Sequence, residues 1–365
     1  MLQIGRQRKP GRVVGVEIEA GGIAAAEVDS GRITAAALGP LAPGAFHEGE
    51  VADVDLVAQA LKALFSQHKL SKRVRLGIGN QRVVVRTLRL PAIDDPKELE
   101  AAVRFQAQEQ IPMPPEQAVL EHQVVGTVPG EEGAPSQMEV VVVAARREMV
   151  GQFVEPLRRA GLEPVGIDLS AFAMIRALAD AAGAGATAPA FDGGGSAAPM
   201  GDQATLYCNL GDIMNLAVAR GRSCLFTRVS MVGLEGIVRR LATETGLIPD
   251  HASQWLMHVG LERPVEQIEG DPRVVSSART ALEAGVGSMV DEMRMSLDYY
   301  AAQEGAVPAG QIVICGPGSA IPGLVSAVES GIGLPVVATL PPAFSGYDPD
   351  VAARFTLAYG LALEN

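Results

Sequence analysis

Three short turns carry the residue types that could hold a ligand. The first is Glu17-Ile18-Glu19-Ala20-Gly21-Gly22, which ends an apolar run beginning at Val13. The second is Asn209-Leu210-Gly211-Asp212, which closes the apolar run 205–210, and the third is Gly316-Pro317-Gly318-Ser319, directly after the run 311–315. A polar residue followed by glycine at the end of a buried strand lets the main chain approach a ligand with no side chain in the way. Glu17, Glu19 and Asp212 place carboxylates at those same turns. Gly233, at the end of the stretch 205–233, is grouped with them.

The elements that must position these turns follow from the residues around them. The stretch 205–233 reads as a strand to Leu210, a turn at Gly211-Asp212, a strand over 213–219, a turn at Gly221 and a third strand ending in Thr227-Arg228-Val229. That is a β-meander. The N-terminal region repeats it, with strands at 13–19, 23–28 and 32–38 and a turn at Asp29-Ser30-Gly31. Glu17 then corresponds to Asn209, Glu19 to Gly211 and Gly31 to Gly221. One hairpin unit used twice predicts a duplicated architecture with a cleft between the halves.

Between the two units, Leu56, Val57, Ala60, Leu61, Leu64 and Phe65 have helical spacing, and strands are expected over 73–78 and 83–90. Asp95-Pro96-Lys97-Glu98 is a helix start, with the N-cap followed by proline and an acid. Ile111-Pro112 stops that helix. A small α+β insert is expected over 92–164. The partition that results is a basic tail at 1–11, a first half at 12–91 with a return at 165–182, and a Gly/Ala/Pro-rich linker at 183–202. The second half spans 203–350, with its own insert at about 234–283, and a C-terminal helix at 351–365 packs back on the first half. The linker composition cannot bury enough apolar surface to offset ordering, so a flexible segment is expected there.

Composition narrows the function. The chain has 365 residues, 48% of them hydrophobic and 20% charged, which fits a globular protein built from two clusters. Its net charge of -12 argues against nucleic acid, whose phosphates require lysine and arginine. Cys208, Cys224 and Cys315 sit singly in apolar runs and read as reduced core residues of a cytosolic protein. No apolar run approaches the ~20 residues that span a bilayer, and no signal-peptide core is present. Arg6, Arg8, Lys9 and Arg12 cluster near the N-terminus, in a segment expected to be a solvated tail.

With these pieces placed, the sequence resembles the actin-like ATPase superfamily and, within it, the PilM family of type IV pilus assembly proteins. The likeness is carried by Leu90-Pro91, by the 97–104 and 110–112 segments, by Ala160-Gly161-Leu162-Glu163-Pro164, by Leu225-Phe226-Thr227-Arg228, by Arg294-Met295-Ser296-Leu297-Asp298-Tyr299-Tyr300 and by Ala358-Tyr359-Gly360-Leu361. It implies an α/β fold of two RNase H-like halves, with the 92–164 insert as the extra subdomain shared with the division protein FtsA. In that superfamily the backbone N–H groups of glycine turns cradle phosphates, and a carboxylate positions Mg²⁺ or its waters. The candidate nucleotide contacts are therefore Glu17, Glu19, Gly21, Gly22, Asn209, Gly211, Asp212, Gly233, Gly316, Gly318 and Ser319. Glu17 is the candidate Mg²⁺ ligand, and ATP with Mg²⁺ is the implied cofactor.

The pattern also departs from the superfamily. Glu19 stands where the family has glycine, Asn209 is an amide in place of a carboxylate, Ala24 replaces a lysine or threonine, and Pro317 replaces a glycine. A second acid opposes phosphate and an amide cannot serve as a base, so weak ATP binding without hydrolysis is expected, and the protein is not expected to be an enzyme. The resemblance implies a cytoplasmic scaffold at the inner face of the membrane. Its partners would be the cytoplasmic N-terminal peptide of PilN, through it the PilN/PilO complex, and indirectly the assembly motor. Family-specific residues concentrate at 99–112, which places the expected peptide groove beside the insert. Two alternatives stay open: a small-molecule kinase of the superfamily, which needs intact phosphate turns, and an FtsA-like filament protein, which would bring a C-terminal amphipathic membrane helix.

Overall fold

Val13–Glu19 shows little alternation of polar and apolar residues because it is covered on both faces, with only Glu19 escaping full burial. This is strand β1. In the computed structural model, which describes residues 11–128, 136–184, 203–303 and 305–363, β1 lies in the middle of the first sheet. Arg6, Arg8 and Lys9 of the basic tail, and 185–202 of the expected linker, lie outside the described residues.

The first sheet is a meander with two parallel additions. β1, β2 (Gly22–Asp29) and β3 (Arg32–Gly39) pair antiparallel. After a short hairpin, β4 (Phe46–His47) and β5 (Glu50–Val51), helix α1 (Val54–His68) crosses to β6 (Arg73–Ile78), which joins β1 in parallel. The chain next builds β7 (Val84–Pro91), α2 (Pro96–Gln110), β8 (Ala118–Val128) and β9 (Gln137–Arg146). Helix α3 (Arg147–Arg159) leads to β10 (Glu163–Leu169), which pairs parallel to β6 and closes the order β10-β6-β1-β2-β3.

The second sheet repeats this plan after α4 (Ser170–Ala184). β11 (Ala204–Leu210), β12 (Met214–Arg220) and β13 (Ser223–Ser230) form the meander. Helices α5 (Leu234–Thr245), α6 (Pro249–Val259) and α7 (Pro272–Ala301) precede β14 (Ala309–Cys315), and α8 (Leu324–Ile332) precedes β15 (Val336–Ala338). The order is β13-β12-β11-β14-β15, so β11 occupies the position of β1. The fold is α/β, with one plan used twice.

Three strands stand apart. β7, β9 and β8 make a separate antiparallel sheet in which β7 pairs with β9 along its whole length and joins neither large sheet. Leu88, Leu90, Val140 and Val142 from this sheet enclose Leu99, Val103 and Ala107 of α2 in a small core of their own. Helix α3 belongs elsewhere, since Met149, Phe153 and Leu157 are buried with the first-half strands and α1.

Helix boundaries follow cap chemistry. Asp95 accepts from the N–H groups of Lys97 and Glu98 and starts α2 at Pro96. The same Asp-Pro signal at Asp271-Pro272 starts the long helix α7. A third at Asp348-Pro349 starts α9 (Pro349–Ala353), and α10 (Thr356–Ala362) follows after a break at Arg354 and Phe355. The single C-terminal helix expected from spacing is thus two, with Phe355 stacked on Phe344 at a ring separation of 5.5 Å.

Helix α10 lies on β1 with almost no gap. A Cβ at Gly15 would overlap the carbonyl oxygen of Ala358 and sit 2.7 Å from the Ala362 nitrogen. Both are main-chain atoms that no rotamer change can move aside. Gly15→Ala should therefore lose about 1–3 kcal/mol of stability through overpacking. Gly151, exposed in α3 with nothing near its missing side chain, is the contrasting site, and Gly151→Ala should gain up to ~1 kcal/mol from helix propensity. Thermal denaturation of the two variants checks both signs.

Candidate functional site

The first turn presents two acids of different fate. Glu17 is buried on β1, and the Ser170 hydroxyl, at the first position of α4, donates to its Oε1 at 2.8 Å. Its carboxylate occupies the space above Gly77 of the neighbouring β6, where any side chain would overlap it. Burial raises its pKa to about 7, against the lowering effect of the Ser170 bond.

Glu19 reaches across to the second half. Its carboxylate lies over Gly211, where a Cβ would overlap Oε1, and it accepts from the Asp212 backbone N–H. Burial is the main reason its pKa rises to about 8; the charges of Asp212 and Glu17 add to the rise, and Arg354 opposes it. Asp212 returns the contact: its Oδ2 accepts from Gly21 N–H at 3.0 Å, and the Ala20 N–H also bonds to its carboxylate. Its pKa is likewise raised, first by burial.

The remaining candidates surround this exchange. Asn209, 2% exposed, directs Oδ1 to the Cys315 thiol at 3.6 Å, and its Nδ2 has no hydrogen-bond partner among the described residues. Gly316, at φ 83, admits the Asn209 side chain, and Ser319 closes the third turn by donating its hydroxyl to Gly316 O at 2.7 Å. Gly318 packs against Leu210, and Gly233 against the Asp212 main chain at the start of α5. His47 pairs with Glu235 from the opposite half, and Gln81 donates to Val229 O at 3.2 Å.

A cavity of about 280 Å³ opens beside these groups, lined in part by Gly22, Leu38, Pro40, Asn209, Pro317 and Arg354. Glu17, Glu19 and Gly21 also face it, whereas Gly211, Asp212 and Gly233 stand behind Glu19. Sequence reasoning missed Ser170, Gly77 and Arg354. Ser170 looks like an ordinary helix start, and Arg354 sits within what spacing reads as an unbroken helix. Among the described residues, no group of three or more His, Cys, Asp or Glu side chains is placed to hold a metal ion.

A second concavity, also about 280 Å³, lies between the small sheet and the second half. Five consecutive residues of β8, 121–125, line it, together with Val141, Phe172, Arg176 and Cys224. β8 pairs only with β9 and β13 only with β12, so both are sheet edges beside this groove. At its floor Arg176 binds the buried carboxylate of Asp168 and donates from Nε to Gly360 O at 3.0 Å.

This architecture has known relatives. The family model described as type IV pilus assembly protein PilM matches residues 15–365. The chain belongs to the PilM family. A solved PilM-PilN type IV pilus biogenesis complex is 25% identical over 97% of this chain and 98% of that one, with a TM-score of 0.75. The ethanolamine utilization protein EutJ from Carboxydothermus hydrogenoformans, 14% identical over 98% of this chain and 91% of its own, has a TM-score of 0.51. MreB5 of Spiroplasma citri bound to ADP, 12% identical over 96% of this chain and 94% of its own, also scores 0.51. The fold of this PilM-family chain is therefore that of the actin-like ATPases, as the resemblance implied.

Glu17 and Glu19 make stability depend on pH. Both bind protons more tightly in the folded protein, at about 7 and about 8, than at the ordinary value of 4.5. The folded state holds protons that the unfolded chain has released, so their stabilising contribution is full below pH 4.5 and is lost as pH rises through about 7 to 8. The melting temperature should fall between pH 5.5 and 8.5, and Glu19→Gln should flatten that fall. A melting temperature rising over the interval would contradict the protonated cleft.

Proposed function

We propose that this PilM-family protein is a pilus-assembly scaffold that captures an extended cytoplasmic segment of a PilN-like membrane protein in the groove between β8 and β13. The observation that carries this reading is the pair of unpaired strand edges flanking a partly apolar cavity, in a chain that is similar along nearly its whole length to a PilM solved with PilN. An extended peptide can add to such an edge, its main chain supplying the hydrogen bonds and the cavity selecting side chains. The scaffold works at the cytoplasmic face of the inner membrane, and through PilN it links the PilN/PilO complex to the assembly motor. Among the described residues, no helix is long and apolar enough to cross a membrane, so attachment through a membrane-anchored partner accounts for that position.

The cleft plays no catalytic part in this reading. MreB5 is solved with nucleotide, and the present cleft shares its fold. In this closed arrangement, however, the cleft does not fit the phosphates of a magnesium nucleotide. The turn amides that would bind them already hold Asp212 and Glu19. Asn209 cannot accept a proton from water. Nucleotide binding is at most weak, and phosphate release from Mg-ATP should stay at background; turnover above it would overturn this reading of the cleft.

Calorimetry with a synthetic peptide of the partner's N-terminal segment tests the scaffold directly. Binding with Kd below about 100 μM is expected, and Val124→Glu should weaken it by about tenfold. Val124 is 43% exposed on β8, so this variant should melt with the wild type. Absence of binding by a folded wild type would reject the reading.

A further inference from the structure

The cleft ligates itself. Ala20 and Gly21 N–H groups of the first turn bind the Asp212 carboxylate, and the Asp212 N–H of the second turn binds the Glu19 carboxylate. Converging turn amides at strand ends are the groups that hold an anion such as phosphate. Here each turn supplies a carboxyl group to the other in that place.

Two further observations single out Glu19. Its Oε1 fills the volume above Gly211, where the second turn has no side chain. Beside it lies Asn209 Nδ2, a buried donor without a partner among the described residues. Both Glu19 and Asn209 line the cavity that contains Arg354. Remove the Glu19 carboxylate, and the Asp212 amide loses its acceptor beside the unpartnered Asn209 amide, next to a cavity that Glu17 and Arg354 also line.

We propose that Glu19 is the residue that sets this protein's affinity for nucleoside triphosphates, because its carboxylate occupies the position a phosphate would take. A triphosphate enters only by displacing Glu19 from the Asp212 amide. The two halves are meanwhile joined across the cleft by Glu19 and Asp212, so closure requires no bound nucleotide. The argument is independent of the peptide groove, and either reading can fail without the other.

The test uses the full chain, with Mg-ATP binding measured by calorimetry for wild type, Glu19→Ala and Glu19→Gln. Loss of a competitor for a backbone donor should tighten Mg-ATP binding by about tenfold or more in Glu19→Ala. Glu19→Gln keeps the side-chain volume and an acceptor for the Asp212 N–H, so its affinity should stay within about threefold of wild type. Hydrogen exchange at the Asp212 amide gives a second readout: protected in wild type, faster in Glu19→Ala, and protected again when Mg-ATP is added but not with Mg²⁺ alone. Equal affinity in wild type and Glu19→Ala, whether tight or undetectable, overturns the proposal. Should Glu19→Ala not fold, Glu19→Ser replaces it in the same comparison with the same outcomes.

Discussion

Backbone amides at the ends of the two central hairpins look for acceptors, and in this protein each hairpin provides one for the other. The Asp212 and Glu19 contacts thereby tie the two turns to each other. The rest of the cleft is arranged around that exchange. Gly211 and Gly77 must lack side chains because carboxylates occupy those volumes. The acids crowd together away from water, which raises the pKa of Glu17, Glu19 and Asp212 alike. The Arg354 charge that counters this repulsion comes from the break between α9 and α10.

Much of this was legible in the sequence, for identifiable reasons. The two meanders announce themselves because the same glycine and acid punctuation closes the same strand lengths twice, and their pairing brings Glu17, Glu19, Asn209 and Asp212 to one cleft. Helix α2 is legible from Asp95-Pro96, which caps and opens it as the sequence pattern requires. Strand text alone could not say that β7 joins the small sheet, because residues 83–90 alternate equally well for either partner. Ser170, Gly77 and Arg354 were illegible for a different reason. Each matters only through a neighbour supplied by another element, and a lone serine, glycine or arginine carries no spacing that marks it.

The groove and the cleft are built on one helix. The first residue of α4, Ser170, holds Glu17 in the cleft, and Phe172, Ile175 and Arg176 on its next turns form the floor of the groove. Arg176 then ties the groove to α10 through Gly360 O, and the close approach of Gly360 to the Ala173 backbone leaves no slack between those helices. A side chain inserted beside Arg176 would therefore press on a rigid unit whose other end is anchored in the cleft. Proximity of this kind transmits an effect only if the unit has two discrete arrangements. The self-ligated turns bear on that condition: while Asp212 and Glu19 keep their amides, α4 is fastened to a closed cleft through Ser170 and Glu17. The groove is thereby backed by the same helix that is fastened to the cleft, an arrangement in keeping with the scaffold role proposed above.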